Sequence, residues 1–262
     1  MVEYGFSLVT FEYFLLILIR ISTFIFAAPF YGMTNVPARV KVSMACFIAI
    51  IVFTFRPESS VEYVGIFSYS LLVLKEGITG LLIGFAANIC NSIILFAGTM
   101  IDTHLGLSMA MEYDPVSRSQ TSISSNFYQY ILLLLLVISN MHHYILRAVI
   151  DSFELIPVGG AVFQWDYLMS GMVKFMSDLL TLGFRITLPV FACIMILNAV
   201  LGIMAKLSPQ MNMFAVGMQL KIMVGLIVLL LTLFLLPSVA SMLFKEMKIM
   251  MVYMIKGMYV GE

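Results

Sequence analysis

Charge is what this chain has least of. Only 11% of its 262 residues are Asp, Glu, Lys or Arg while 62% are apolar, where a soluble domain carries about 25% charged residues. Together with a mean hydropathy of +1.06, that scarcity excludes a soluble globular protein and makes the chain an integral membrane protein. The 14 basic and 14 acidic residues cancel, so no basic patch is left to recruit a nucleic acid. Cysteine is scarcer still: Cys46, Cys90 and Cys193 each lie inside an apolar run, which suits a small buried thiol and not a disulfide or a metal ligand. His142 and His143 are adjacent, so on a helix they project about 100° apart and do not readily share a metal. Asp102 and His104 lack a third ligand at ligand spacing. No Ser-His-Asp, Cys-His, Walker or Rossmann pattern occurs, and neither an enzyme nor a cofactor is expected. Fixed-period repeats and low-complexity segments are missing as well, which excludes a solenoid. At the amino terminus Glu3 stands where a cleavable signal would carry positive charge, and Phe26-Ala27-Ala28 lacks a small-x-small processing site, so no cleavage is expected.

Apolar runs take up the rest. Six can cross a bilayer as helices of roughly 17 to 25 residues: Tyr13 to Tyr31, Val40 to Phe55, Gly77 to Ile101, Phe127 to Ser139 with help from the residues before it or from Asn140 to Ile150, Leu179 to Leu201, and Lys221 to Leu243. Val61 to Leu74 is too short and is expected to be re-entrant or interfacial. The fold class is therefore all-α, a polytopic helical membrane protein with residues 1–262 as a single domain in the lipid bilayer. A small bias of Lys and Arg places both termini in the cytoplasm.

Several polar residues stand out against this background. Gly77, Gly80, Gly84, Asn88, Asn91, Leu95, Gly98 and Asp102 recur at intervals of three or four and share one face of the predicted third helix. Close packing against another helix is the ordinary reading of such a stripe and a polar pore wall the sharper one. Arg20 and Arg185 lie within apolar helices, where an ionised group is costly unless paired or wet; a partner on another chain and snorkelling are both open. The carboxyl end aligns Met247, Met250, Met251, Met254 and Met258 on one helical face, with Lys245, Lys248 and Lys256 opposite, which suits a membrane surface, a groove or ordinary packing. Between two apolar helices runs an internal polar loop, 102–126, whose core is Gly106 to Ser125. It is a solvated connector or the gate of a pore, and length and composition favour the connector.

Three stretches carry a resemblance that covers essentially the whole chain. They are Gly98-Thr-Met-Ile-Asp102 with Gly106-Leu-Ser-Met-Ala110 and Asp114-Pro115, then Asn140-Met-His-His143 through Ser152-Phe-Glu-Leu-Ile-Pro157-Val-Gly159, and Ser208-Pro-Gln-Met-Asn-Met-Phe214 through Gly217-Met-Gln-Leu-Lys221. Together they resemble the FliR family of flagellar export-gate proteins, whose counterpart is the T-component of virulence type III secretion injectisomes. The resemblance implies a subunit built of helical hairpins, sitting in the bacterial inner membrane within the flagellar basal body. It would join FliP-like and FliQ-like subunits and other export-apparatus membrane proteins, and form a narrow channel for unfolded flagellar substrate proteins. It also implies that the loop plugs the closed channel through Gly106, Leu107, Ser108, Met109, Met111, Asp114 and Pro115, which turns the reading from connector to gate. Subunit contacts are expected at Arg20, Gly80, Gly84, Asn88, Asn91, Arg185, Pro209, Gln210, Asn212, Phe214 and Lys221. Gln219 departs from the family pattern, where a proline commonly precedes the Leu-Lys pair, and this puts the local helix break in question. An injectisome subunit is the near alternative and a small-solute transporter or channel the distant one, although the paired broken helices and midplane carboxylates of a transporter are missing.

Overall fold

A computed structural model describes residues 8–33, 35–55, 63, 65–107, 112–114, 119–208, 210 and 212–259. Helices dominate it: α1 (Leu8–Ala27), α2 (Ala38–Phe55), α3 (Gly65–Ala87), α4 (Ile89–Leu105), α5 (Ile123–Ile138), α6 (Met141–Leu155), α7 (Trp165–Leu207), α8 (Met213–Thr232) and α9 (Leu236–Lys256). Two three-residue strands, β1 (Glu112–Asp114) and β2 (Ser119–Thr121), pair antiparallel between α4 and α5. Among the described residues five helical segments are long and apolar enough to cross a membrane, or six if the bent pair α5 and α6 is one span. The single helical domain of the sequence comprises two compact units, one of residues 1–89, 140–175 and 246–262, the other of residues 90–139 and 176–245.

In the first unit α1 packs on α2 and α3, and α3 also meets α6. Buried Leu16, Ile17, Ile21, Phe24 and Ile25 of α1 recur at the three- and four-residue spacing that lines one helical face. Against them sit Ala45, Ala49 and Val52 of α2 and Ile83, Ala86 and Ala87 of α3. Met247, Met250, Met251, Met254 and Met258, the thioether face of α9, are all buried here too. Packing inside the chain, and not an external groove, is therefore what this face does. In the second unit Ile93, Ile94, Ala97 and Ile101 of α4 and Leu132 and Leu136 of α5 supply the core, with Ile186, Val190 and Ile194 of α7.

Helix boundaries differ from the expected spans in several places. The run from Gly77 to Ile101 is two helices, because Asn88 makes the turn between α3 and α4 and its N–H bonds the carbonyls of both Gly84 and Phe85. The eight-residue stripe is consequently shared between α3 and α4. Residues 65–74, expected to be interfacial, are the first half of α3. Glu76, just past that run, turns inward and is completely buried, so its charge does not terminate the helix. The run from Phe127 is divided at Asn140, which adopts a left-handed backbone with φ 55°. Leu179 to Leu201 is the middle of the 43-residue α7, about 64 Å of helix and more than twice a hydrocarbon core. Lys221 to Leu243 is divided among α8, a 3-10 turn at Leu233–Leu235 and α9, whose Pro237 sits in its first turn, where the missing N–H has no helical acceptor to lose.

Candidate functional site

Each unit buries a polar cluster among apolar side chains. In the first, Arg20 shares the buried face of α1 with Leu16, Ile17 and Ile21. Its Nε donates to Glu76 Oε2 at 2.5 Å and its Nη2 to Glu76 Oε1 at 2.9 Å. This is the forked pairing that guanidinium and carboxylate geometry favour. Nη1 donates to the carbonyl of Ile156 at 2.9 Å, and the guanidinium lies 4.2 Å from the centre of the Phe153 ring. Glu76 Oε1 also accepts from the N–H of Gly159 at 2.8 Å, in a turn where Gly159 has φ 79°. One ion pair thus ties α1 and α3 to the connection between α6 and α7. That connection is stitched in turn to the carboxyl end, Val162 N–H to Met258 O at 3.2 Å and Gln164 N–H to Gly257 O at 2.9 Å. The partner of Arg20 is therefore inside the chain, 56 residues away in sequence.

The glycines of α3 explain how the pair comes so close. A Cβ on Gly80 would meet the Arg20 carbonyl and the Thr23 hydroxyl, and one on Gly84 would lie 2.7 Å from Ala27 Cβ and 2.9 Å from Phe24 O. Both glycines, expected at a subunit contact, admit α1 within the chain. Nearby, Tyr31 donates its phenol to the His142 carbonyl at 3.0 Å. Burial pushes that phenol up to about 12, so it stays a neutral donor.

The second cluster lies at the neck of the polar loop. Asp102, buried near the end of α4, accepts from the backbone N–H of Ser124 at 3.1 Å and from the Ser124 hydroxyl. Ser122 caps α5, accepting from Ser125 N–H at 3.1 Å, and its hydroxyl also bonds that of Ser125. Ser125 Oγ donates to the Leu95 carbonyl at 2.9 Å. A Cβ on Gly98 would lie 2.5 Å from Ser125 N, so the two backbones touch there. Farther along, Gln129 Nε2 donates to Asn91 Oδ1 at 2.9 Å. A carboxylate is thus set among the free N–H groups and positive dipole end of α5, where negative charge is stabilised. Leu95, Gly98 and Asp102, on successive turns of α4, hold the first turn of α5.

The loop raised on that neck is shorter than 102–126. Asp102 to Leu105 is still helix, Gly106 turns with φ 80°, and the segment beyond pairs Glu112 with Thr121, Tyr113 with Gln120 and Asp114 with Ser119 before α5 begins at Ile123. Gly106 and Leu107 follow α4 directly and Asp114 ends β1; Ser108, Met109, Met111 and Pro115 lie outside the described residues.

The other described residues singled out in the sequence sit elsewhere on the helices and turns. Asn88 is the turn described above. Arg185 is exposed on α7, with Nη1 3.7 Å from Met242 Sδ. Asn212 caps α8 by accepting from Ala215 N–H at 3.4 Å, Gln210 is an exposed turn residue, and Lys221 is half-buried on α8. Pro209 and the Phe214 side chain lie outside what is described. Missed altogether were Glu76, Ser122, Ser124 and Ser125. A signal for the serines was present, since Ser-Ile-Ser-Ser before an apolar run is a helix start; for Glu76 it was weaker, one turn before Gly80 on the same face.

The arrangement fastens helix to helix, and among the described residues no group of three or more His, Cys, Asp and Glu could hold a metal ion. Comparison with known proteins gives it a family. Residues 11–247 match the model of "Bacterial export proteins, family 1". The chain is 34% identical to the flagellar biosynthetic protein FliR of Bacillus subtilis (strain 168) over 222 residues, 84% of this chain and 85% of that one. It is 30% identical to FliR of Aquifex aeolicus (strain VF5) over 243 residues, 91% and 93% of the two chains. To FliR of Escherichia coli (strain K12) it is 28% identical over 211 residues, 80% and 79%. A polytopic helical chain matched over nearly its whole length by such proteins belongs to the FliR family of bacterial export proteins.

Proposed function

We propose that the chain is a structural, channel-forming subunit of the flagellar type III protein export gate in the bacterial inner membrane. There it assembles with FliP-like and FliQ-like subunits, alongside other export-apparatus membrane proteins, and passes unfolded flagellar proteins. The observation that carries this reading is the identity with flagellar biosynthetic proteins over more than four-fifths of this chain and of its Bacillus counterpart. The flagellar names of the relatives favour it over an injectisome T-component. Two buried clusters that fasten helices together support a structural component.

Within this reading the loop raised on the Asp102 neck closes the channel. Gly106 supplies backbone freedom and Leu107, Met109 and Met111 deformable apolar bulk, so closure by packing is cheap to reverse. The test is to delete Ser108 to Met111 and measure conductance or solute uptake in cells producing the whole gate, at equal assembly levels. A leak with intact assembly is expected. An unchanged leak with normal export sinks the plug and restores the connector, whereas failure to co-purify FliP-like and FliQ-like subunits with the unaltered chain sinks the gate subunit itself.

A further inference from the structure

The end of α4 is held on three sides within the second unit. Toward α7, Thr187 Oγ1 donates to the Ala97 carbonyl at 3.4 Å, and the His104 and Phe191 rings meet edge-on with centres 4.8 Å apart. Toward α8, a Cβ on Gly225 would lie 2.0 Å from Leu105 Cδ2, so the buried Leu105 seats against bare backbone. The third side is α5, and there the hold involves a charge. Asp102 is 1% exposed and is the buried acid of this unit among the described residues. Its partners there are the N–H and the hydroxyl of Ser124, in the first turn of α5, and not a cation. An acid buried in a membrane protein is costly and marks a functional position. Packing on α7 and α8 already fastens α4, so what Asp102 adds is a bond across the two ends of one segment. It precedes Gly106 by one helical turn, and Ser124 follows β2, which ends at Thr121.

We propose that Asp102 and Ser124 are positioning residues for channel closure, because the charged bond between them holds the two ends of the loop together at its base. The proposal rests on the reading that the loop closes the channel and adds what keeps it there. A carboxylate suits this place better than an amide. It accepts from both Ser124 donors and faces the positive end of the α5 dipole, whereas an amide turns one NH2 toward donors. Without the bond the first turn of α5 is held by the Ser122 and Ser125 contacts alone, and the base of the loop widens.

The test measures resting conductance or solute uptake in cells producing the whole gate, at equal assembly levels. Asp102→Asn is expected to raise the leak about tenfold, the shift in a closed–open equilibrium that loss of a charge-assisted bond produces. Ser124→Ala keeps the bond from the backbone N–H and should leak less. Exchanging the two residues, Asp102→Ser with Ser124→Asp, should return the leak to the unaltered level, since a hydroxyl on α4 then donates to a carboxylate on α5. A closed channel in Asp102→Asn overturns the proposal, and so does a leak in both single variants that the exchange leaves in place. Failure of every neck variant to assemble overturns it as well, because the bond then serves folding and not closure. The deletion of Ser108 to Met111 separates the two readings. If the deletion leaks and Asp102→Asn does not, the loop still closes the channel and the latch is wrong; if the deletion does not leak, loop closure fails and takes this proposal with it.

Discussion

Replacing Glu76 by Met strands a completely buried guanidinium, and the consequence can be worked from the contacts. Arg20 loses both charge-assisted bonds to the carboxylate and keeps the Ile156 carbonyl and the Phe153 ring. The Gly159 N–H loses its acceptor as well. Removing one partner of a buried pair costs about 3–5 kcal/mol, because the survivor remains desolvated without compensation. In a chain of this size each kcal/mol moves the unfolding midpoint by roughly 2–4 °C, so a fall of about 6–20 °C is expected for Glu76→Met, and similarly for Arg20→Met. The double replacement behaves differently. With both charges gone, nothing but the Gly159 N–H and Ile156 carbonyl is left unsatisfied, and buried pairs replaced by apolar residues of similar volume are often neutral. The double variant should therefore be more stable than either single one, with a coupling energy of at least about 2 kcal/mol, within the range found for residues in contact. Thermal unfolding of the detergent-solubilised assembly, read by tryptic release of the full-length chain, gives the four midpoints of the cycle. Additive losses would refute the reasoning, because they would mean that each side chain acts through its own packing and not through the pair.

Further expectations follow from the same contacts. Gly84→Leu pushes side-chain atoms into Ala27 and the Phe24 carbonyl, and should cost about 1–3 kcal/mol through α1–α3 separation; cysteine cross-linking between α1 and α3 that survives the change would contradict this. Asp102→Asn keeps an acceptor but removes the charge at the start of α5, costing about 1–2 kcal/mol; faster amide exchange over residues 122–126 with the α5 middle unchanged is the expected signature. Met251→Ala opens a cavity in the first unit and should lower stability by about 2–5 kcal/mol, whereas Met223→Ala, exposed on α8, should move the midpoint by less than a degree or two. Lys221→Glu tests the expected contact segment: reduced assembly with an unchanged melting midpoint supports it, and normal swimming removes it.

Membrane class, helical content and the apolar spans were legible in the sequence because hydropathy is a local sum, and a bilayer leaves the backbone few ways to satisfy its hydrogen bonds other than helix. The polar stretch after α4 was legible for the same reason. What pairs with what was decided by tertiary structure. Glu76 lies 56 residues from Arg20, and nothing in either neighbourhood says that α1 and α3 approach closely enough for their side chains to fork. The break at Asn88 was equally hidden, because a polar residue within an apolar run can face a neighbour, line a pore or end a helix, and only packing selects among these. The methionine face of α9 and the exposed guanidinium of Arg185 show the same limit from both sides. Amphipathic spacing fixes which residues share a face, but whether that face is covered by the chain itself or left for another molecule depends on where distant helices come to rest.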